Sequence, residues 1–424
     1  MAVHDEPPVN RRRKKPSRPP QLSENTAAER QPRRRKRHHP VLRFLLRLTL
    51  VAAVAAGCLW ASRNVESLSP SAMADRLEGW FSGGSRGDGF PLSVDGDAVL
   101  SAGALGDSLA LLSDNAFTVY NKNAGETARR LHNYADPLMA TSGSYALIAE
   151  LGGSRLTLEK RSGTICELTA SGTVTTAAVS ANGRIAVATG ADKSHTAKIT
   201  VYDRRGKELY TWVSADLRIV YLAFCADGSR VAAVGVSSHD AKLRSTLTVI
   251  PVSGDKAAEY AADDVLLCAA EFAGTDTVIA VGTDEMWAAA ADGSGKTVYS
   301  YKDRELSGFA VGSSLVGLVL RPYGSADGGE LTVLDTAANE RQTAAFSEAF
   351  RCLTADGDRL LLLTEGRLSA YTADGVSGDT AVSADGRLVA APGGRPLVVG
   401  LTAVTAYTWE NTTDGTDRGV STGG

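Results

Sequence analysis

The sequence predicts an all-β protein, a β-propeller of eight blades with seven as the alternative, preceded by a single transmembrane helix. Three observations predict it. Beyond Phe90 the chain runs in short alternating apolar segments rich in Val, Leu, Ala and Thr, broken by Asp-Gly, Asn-Gly and Gly-Ser turns and by no long helical pattern. The turns recur: SANGRIAVATG at Ser180, CADGSRVAAVG at Cys225, TADGDRLLLLT at Thr354 and SADGRLVAAPG at Ser383 each lead from a small polar turn into an apolar strand. Ahead of all this, residues 41–62 form an apolar run whose last fifteen residues, from Leu48, carry no charge.

The chain has 424 residues, 43% hydrophobic and 22% charged, a globular composition with enough apolar material for a large core. Its formal charge of −3 conceals a split. Residues 1–62 carry 14 Lys/Arg against 4 Asp/Glu, and the remainder 31 against 44, so a basic nucleic-acid-binding globule is excluded for most of the chain.

Residues 1–40 hold the runs Arg11-Arg12-Arg13-Lys14-Lys15 and Arg33-Arg34-Arg35-Lys36-Arg37, several prolines and few apolar side chains. Such a segment is expected to be a disordered basic tail. Residues 41–62 (VLRFLLRLTLVAAVAAGCLWAS) then span a bilayer as one helix, with Arg43 and Arg47 snorkelling toward the basic side and Trp60 near the far interface. The Lys/Arg excess before the helix predicts a cytoplasmic N-terminus and an extracytoplasmic C-terminal domain in the cell membrane. The bilayer and, beside the tail, anionic lipid are the expected partners; nucleic acid is not, because no aromatic residue interleaves the basic runs. A cleaved secretory signal and a lipoprotein box at Ala55-Ala56-Gly57-Cys58 are the alternatives to an anchor.

Residues 63–89 read as a stalk. Met73, Leu77, Trp80 and Phe81 make one apolar stripe on a short helix after Pro70, and a Gly-rich run from Gly83 ends it. Residues 90–409 are the propeller and 410–424 a disordered tail. Within the propeller, corresponding points fall near Asp97, Pro137, Ala177, Ile219, Val265, Leu306, Phe350 and Arg387. Their spacing averages about 41 residues, the period of a four-stranded blade. Phe90 to Val94 is expected to supply the outer strand of the last blade, joining the two ends of the domain. Seven blades result if the last two short units form one blade and a closing strand.

In a blade of four strands, the first-to-second and third-to-fourth turns open on one face, and the other connections on the opposite face. The Asp-Gly turns Asp227-Gly228, Asp292-Gly293, Asp356-Gly357, Asp374-Gly375 and Asp385-Gly386 are assigned to the first face, their glycines supplying φ > 0. Long second-to-third loops are expected around His195, around His239 (VSSHDAKLRST) and from Arg321 to Glu330 on the second face. Such connections are the usual place for binding. His195, His239, Arg321, Tyr323 and Arg351 are the candidate binding residues there, with Arg and Tyr the anchors that interfaces favour.

The chain resembles a family of membrane-anchored β-propeller proteins of Gram-positive bacteria known only as a domain of unknown function. The resemblance covers roughly residues 89–409 and rests on GDGFPLSVDGDAVL at Gly87, LALLSDNAFTVYNKNAG at Leu109, YADPLMATSG at Tyr134 and ITVYDRRGKELYTW at Ile199. It implies a cytoplasmic tail, one transmembrane helix and an outer propeller like those of quinoproteins or WD repeats. No catalytic residue follows from it, and the long basic tail departs from the pattern.

No catalytic chemistry is legible. Cys166, Cys225, Cys268 and Cys352 are spread one per blade without metal-ligand spacing, and Cys225, Cys268 and Cys352 are expected to be buried core thiols. His195 and His239 lack a third ligand for zinc, the Asp-Gly turns lack the alternating carboxylates of a calcium loop, and no G-x-S-x-G elbow occurs. No catalytic residue, metal or cofactor is expected. The expected function is noncatalytic: a protein-interaction or scaffold module of the cell envelope, whose partner is an envelope protein, peptide or glycan. The alternative is an exported ligand sensor or enzyme using the central pocket. The topology predicts that the full-length protein stays in the membrane fraction through an alkaline wash and is released on deletion of residues 41–62. An intact mass lacking residues 1–57 would instead establish the lipoprotein.

Overall fold

A strand that is apolar on both faces needs a neighbour on each side. Ile185–Thr189 (IAVAT) is such a strand: Ile185 and Val187 pack with Leu147, Leu156 and Leu158, whereas Ala186 and Ala188 pack with Val231 and Ala233 on the other side. The same division holds for Val231 and Ala233 against Ala232 and Val234, and for Val278 and Ala280 against Ile279 and Val281. Alternate side chains of one strand thus enter two different cores. This arrangement requires sheets stacked around an axis.

The computed structural model describes residues 87–94, 98–325 and 327–409, the side chain of His239 excepted. Eight antiparallel four-stranded sheets follow one another in chain order. Blade 1 is Val99–Leu105, Ser108–Ser113, Ala116–Tyr120 and Glu126–Leu131; blade 2 is Pro137–Ser142, Tyr145–Glu150, Arg155–Lys160 and Gly163–Thr169. Blade 3 is Val174–Val179, Ile185–Thr189, Ala197–Tyr202 and Glu208–Ser214; blade 4 is Arg218–Phe224, Arg230–His239, Lys242–Pro251 and Ala258–Asp263. Blade 5 is Leu267–Ala273, Thr277–Gly282, Glu285–Ala290 and Lys296–Ser300; blade 6 is Arg304–Val311, Leu315–Pro322, Gly329–Asp335 and Glu340–Phe346. Blade 7 is Phe350–Asp356, Arg359–Thr364, Arg367–Thr372 and Gly375–Ala381. Blade 8 joins Leu388–Ala390, Leu397–Val399 and Ala403–Ala406 to Leu92–Ser93, the outermost strand.

The protein is therefore an eight-bladed propeller. Each first strand lies innermost and neighbours the first strands of the two adjacent blades all the way round, blade 8 against blade 1 included. Eight hydrophobic clusters occupy the eight blade interfaces, with Trp287, Phe117 and Tyr301 among the largest fully buried side chains. Closure takes the expected form: Leu92 pairs with Val404 and Ser93 with Ala403, and the Val94 N–H donates to the Thr402 carbonyl at 2.9 Å. Phe90, Leu92 and Val94 complete the cluster between blades 8 and 1 with Leu109, Leu397 and Val404.

Among the described residues no helix is long and apolar enough to cross a membrane. The basic tail, the apolar segment 41–62, most of the stalk and the C-terminal tail lie outside the described residues.

Three expectations are corrected. Asp385-Gly386 does not sit in a first-to-second turn; it precedes the inner strand of blade 8, whose strands are three or four residues long, and Gly386 lacks the positive φ of Gly228, Gly293, Gly357 and Gly375. The stretch around His239 is not a long loop. Arg230–His239 and Lys242–Pro251 pair throughout, down to His239 with Lys242, around a two-residue turn in which Asp240 and Ala241 both have positive φ. That is a primed hairpin turn made without glycine. Of the three cysteines expected in the core, only Cys225 is buried; Cys352 is half-buried and Cys268 exposed.

Closure by Phe90 to Val94 predicts different outcomes for two truncations. Removing residues 1–86 leaves the thermal midpoint of the propeller unchanged, whereas removing residues 1–94 costs about 3 kcal/mol or more, since three apolar side chains lose their burial. Equal midpoints for the two would contradict the closure.

Candidate interaction face

The connections divide between the faces as antiparallel pairing requires, and the faces differ in chemistry. On the face of first-to-second and third-to-fourth turns, polar side chains are bound to their own backbone. Asp203 accepts the N–H groups of Arg205 and Lys207, Asp335 those of Ala337 and Asn339, and Asn121 those of Asn123 and Gly125, all between 2.8 and 3.0 Å. These bonds help hold the Asp203 and Asp335 carboxyls below their ordinary values. Neighbouring blades are also joined here: Arg184 Nη1 donates to the Gly228 carbonyl at 2.7 Å, Arg230 Nη1 to that of Thr275 at 2.9 Å, and the Gly106 N–H to that of Gly143 at 2.8 Å.

The opposite face holds the five residues singled out in the sequence. His195 lies in the second-to-third loop of blade 3, its ring mostly covered. Nδ1 sits 3.1 Å from Asp192 Oδ1 and 2.9 Å from Ser194 Oγ, while Asp192 also accepts the N–H groups of Ser194 and His195. That geometry makes His195 part of a local turn. His239 ends a strand at the tip of the projecting blade 4 hairpin. Arg321 is inside the second strand of blade 6 and pairs with Glu305 at 3.2 Å; Tyr323 follows in the loop with 64% of its surface exposed. Arg351 is on the inner strand of blade 7, not in a loop, and pairs with Glu365 at 3.2 Å. Blades 6 and 7 thus bring Arg321, Tyr323 and Arg351 to one sector, while the histidines belong to blades 3 and 4.

A second feature escaped the sequence. In six blades the pairing of the inner strand with the second strand skips one residue near its start: Leu100, Thr175, Val220, Cys268, Ser307 and Arg351. These β-bulges recur at one level around the axis, on the same face. Cys268 is exposed because it is one of them. Of the twelve large apolar side chains exposed among the described residues, eight lie toward this face: Leu100, Leu131, Val213, Val220, Leu243, Leu266, Tyr323 and Leu401. Leu100 and Val220 are bulged residues, and Leu243 is on the projecting hairpin. The signal available in the sequence was an apolar residue out of alternation, as in AVLSAGAL at Ala98.

Desolvation first of all pushes the Cys166, Cys225 and Cys352 thiols above their ordinary values, which disfavours the thiolate. Among the described residues no group of three His, Cys, Asp or Glu is disposed to hold a metal ion. One partly buried pair joins two inner strands: the Tyr221 hydroxyl of blade 4 donates to Glu271 Oε1 of blade 5 at 2.5 Å. Desolvation raises the Glu271 carboxyl above its ordinary value of 4.5, against the lowering effect of the Tyr221 bond. Stability from such a group is fully present below the unfolded value and is lost as pH rises through the folded one. Glu271→Gln, which keeps an acceptor for Tyr221, is therefore expected to raise the thermal midpoint at pH 7 and to leave it unchanged near about pH 4. A lower midpoint at pH 7 would show that the ionised carboxylate is the stabilising form.

Comparisons with known proteins agree with this architecture. The model of a family of unknown function, DUF5711, matches residues 95–380. No curated protein matches the sequence. Among solved structures, the fold is similar to that of Saccharomyces cerevisiae Sqt1, with a TM-score of 0.53 and 11% identity over 76% of this chain and 100% of that one. BamB from Moraxella catarrhalis gives a TM-score of 0.49 at 13% identity over 74% of this chain and 98% of its own. Apo AztD from Citrobacter koseri gives 0.47 at 12% identity over 68% and 90%.

Proposed function

The chain belongs to the DUF5711 family of unknown function, and we propose that its propeller is a noncatalytic protein-interaction module. In this reading it is held at the outer surface of the cell membrane by residues 41–62 and presents its second-to-third loop face to a protein of the cell envelope. The observation that carries the reading is the unequal distribution of exposed apolar surface. Eight large apolar side chains lie toward one face, while the opposite face is closed by tight turns whose carboxylates are bound to their own backbone. Covering these side chains with a partner would remove apolar surface from water.

The Arg321 and Tyr323 sector supports the same reading. Tyr323 offers a large amphipathic contact, and the Arg321–Glu305 and Arg351–Glu365 pairs form a polar rim beside it. The basic tail would then lie against anionic lipid on the other side of the bilayer.

Capture of partners from native membranes by the full-length protein tests this. Replacing both Arg321 and Tyr323 by alanine is expected to reduce capture of the propeller-dependent partner about tenfold or more. Arg205→Ala, on the opposite face, leaves it unchanged. Capture that survives the double substitution, or that falls with Arg205→Ala, would overturn the assignment of the face.

A further inference from the structure

The turn face is unevenly charged. In blades 1 to 3 the third-to-fourth turns, 121–125, 161–162 and 203–207, carry Lys122, Arg161, Arg204, Arg205 and Lys207 against Asp203. In blades 4 to 7 the same turns, 252–257, 291–295, 336–339 and 373–374, carry Asp255, Asp292 and Asp374 against Lys256. Taking one more residue at each end keeps both signs, adding Lys160, Glu126 and Glu208 to the first group and Lys296, Asp335 and Glu340 to the second. The first-to-second turns lean the same way, with Asp227, Asp276 and Asp358 in blades 4, 5 and 7. A basic sector thus stands in a domain whose chain, from residue 63 onward, carries 31 Lys/Arg against 44 Asp/Glu.

Contacts between blades make the sector continuous. Arg395 of blade 8 donates to the Lys122 carbonyl of blade 1 at 3.2 Å, Arg130 of blade 1 to the Thr164 hydroxyl of blade 2 at 3.3 Å, and Arg161 of blade 2 pairs with Asp107 of blade 1 at 3.1 Å. The blade 3 turn lies on blade 2, where a Cβ at Gly206 would stand 2.7 Å from Leu168. Asp203 is engaged by the N–H groups of Arg205 and Lys207. Lys122, Arg204, Arg205 and Lys207 are exposed and form no ion pair among the described residues. The chain also enters the propeller here: the Gly89 N–H donates to the Asn123 carbonyl at 3.1 Å, beside Lys122.

We propose that the basic sector of blades 1 to 3 docks on anionic phospholipid headgroups, on the propeller's side of the bilayer, so that the second-to-third loop face points away from the lipid. The proposal rests on the reading of the protein as membrane-anchored and adds to it an orientation and a lipid class. Two observations select lipid over an acidic protein. The cations stand in short turns, which keep them near the strand ends and suit a planar surface, whereas the opposite face bears the projecting blade 4 hairpin. The chain also leaves the domain toward residues 41–62 beside these same cations, and such a tether raises the effective concentration of headgroups at the sector. Each Lys or Arg close to an anionic bilayer strengthens attachment about fivefold.

The test uses the full-length protein in nanodiscs that carry a nitroxide on a fraction of the headgroups. A fluorescent amino acid is placed at Ser162 in the basic sector, at Ser294 on the turn face of blade 5 or at Leu243 on the loop face. In equal parts of phosphatidylglycerol and phosphatidylcholine, quenching at 162 is expected to exceed that at 294 and at 243 by about twofold or more, and to fall with added salt. Phosphatidylcholine alone removes the excess, as does the triple reversal Arg204→Glu, Arg205→Glu and Lys207→Glu, whose exposed side chains leave the thermal midpoint unchanged. An excess at 162 that ignores lipid charge or survives the reversal, or stronger quenching at 294 or 243, would overturn the proposal. If the anionic nanodiscs give no excess and the reversal instead weakens partner capture from native membranes, the sector binds an acidic protein and the lipid assignment falls. Failure of the protein to incorporate into nanodiscs would overturn the anchor itself, a result separate from incorporation without charge-dependent quenching.

Discussion

The structure depends on one constraint: its strands are apolar on both faces, so no blade buries its own surface. Ile185 and Val187 belong to one core and Ala186 and Ala188 to the next, and the same split recurs in Val231 to Val234 and Val278 to Val281. Each sheet is therefore stable only between two others, and a row of sheets is complete only when it closes. Leu92–Ser93 performs that closure as a two-residue strand, extended by the Val94 N–H bond to Thr402. The contacts Arg184 to Gly228, Arg230 to Thr275 and Gly106 to Gly143 then join blade to blade along one face.

The two faces differ in chemistry. The turn face is short-looped, bound to its own backbone and bridged between blades. The opposite face carries the connections that closure does not constrain: the bulges at Leu100, Val220 and Arg351, the hairpin around Asp240-Ala241, and the loop of Tyr323. Bulges rotate side chains out of the ladder. In this protein Leu100 and Val220, two of the bulged residues, are exposed, and a third, Arg351, pairs with Glu365.

The period was legible because turn chemistry is local: Asn182-Gly183 and Asp227-Gly228 announce themselves in any register, with positive φ at each glycine. Asp385-Gly386 imitates them and misled for that reason, since only the pairing of Leu388–Ala390 with Leu397–Val399 reveals that it lies before the inner strand. The hairpin at His239 was read as a loop because Asp240-Ala241 makes its turn without glycine and the flanking Ser237 and Arg244 lack strand alternation. Cys268 looked like a core thiol because a bulge leaves no mark in composition. Ladder alternation placed the loop of Arg321 and Tyr323 on one face, whereas the position of Arg351 on an inner strand and the ion pairs of Arg321 with Glu305 and of Arg351 with Glu365 needed coordinates.

The central claim is that one face of the ring, and not the other, meets the partner. Site-specific photocrosslinking in native membranes tests it most directly, with a photoreactive amino acid placed at Leu243 on the projecting hairpin and, in a separate protein, at Arg205 on the turn face. The account predicts a discrete adduct from position 243 and none from position 205. An adduct from position 205 alone would contradict it.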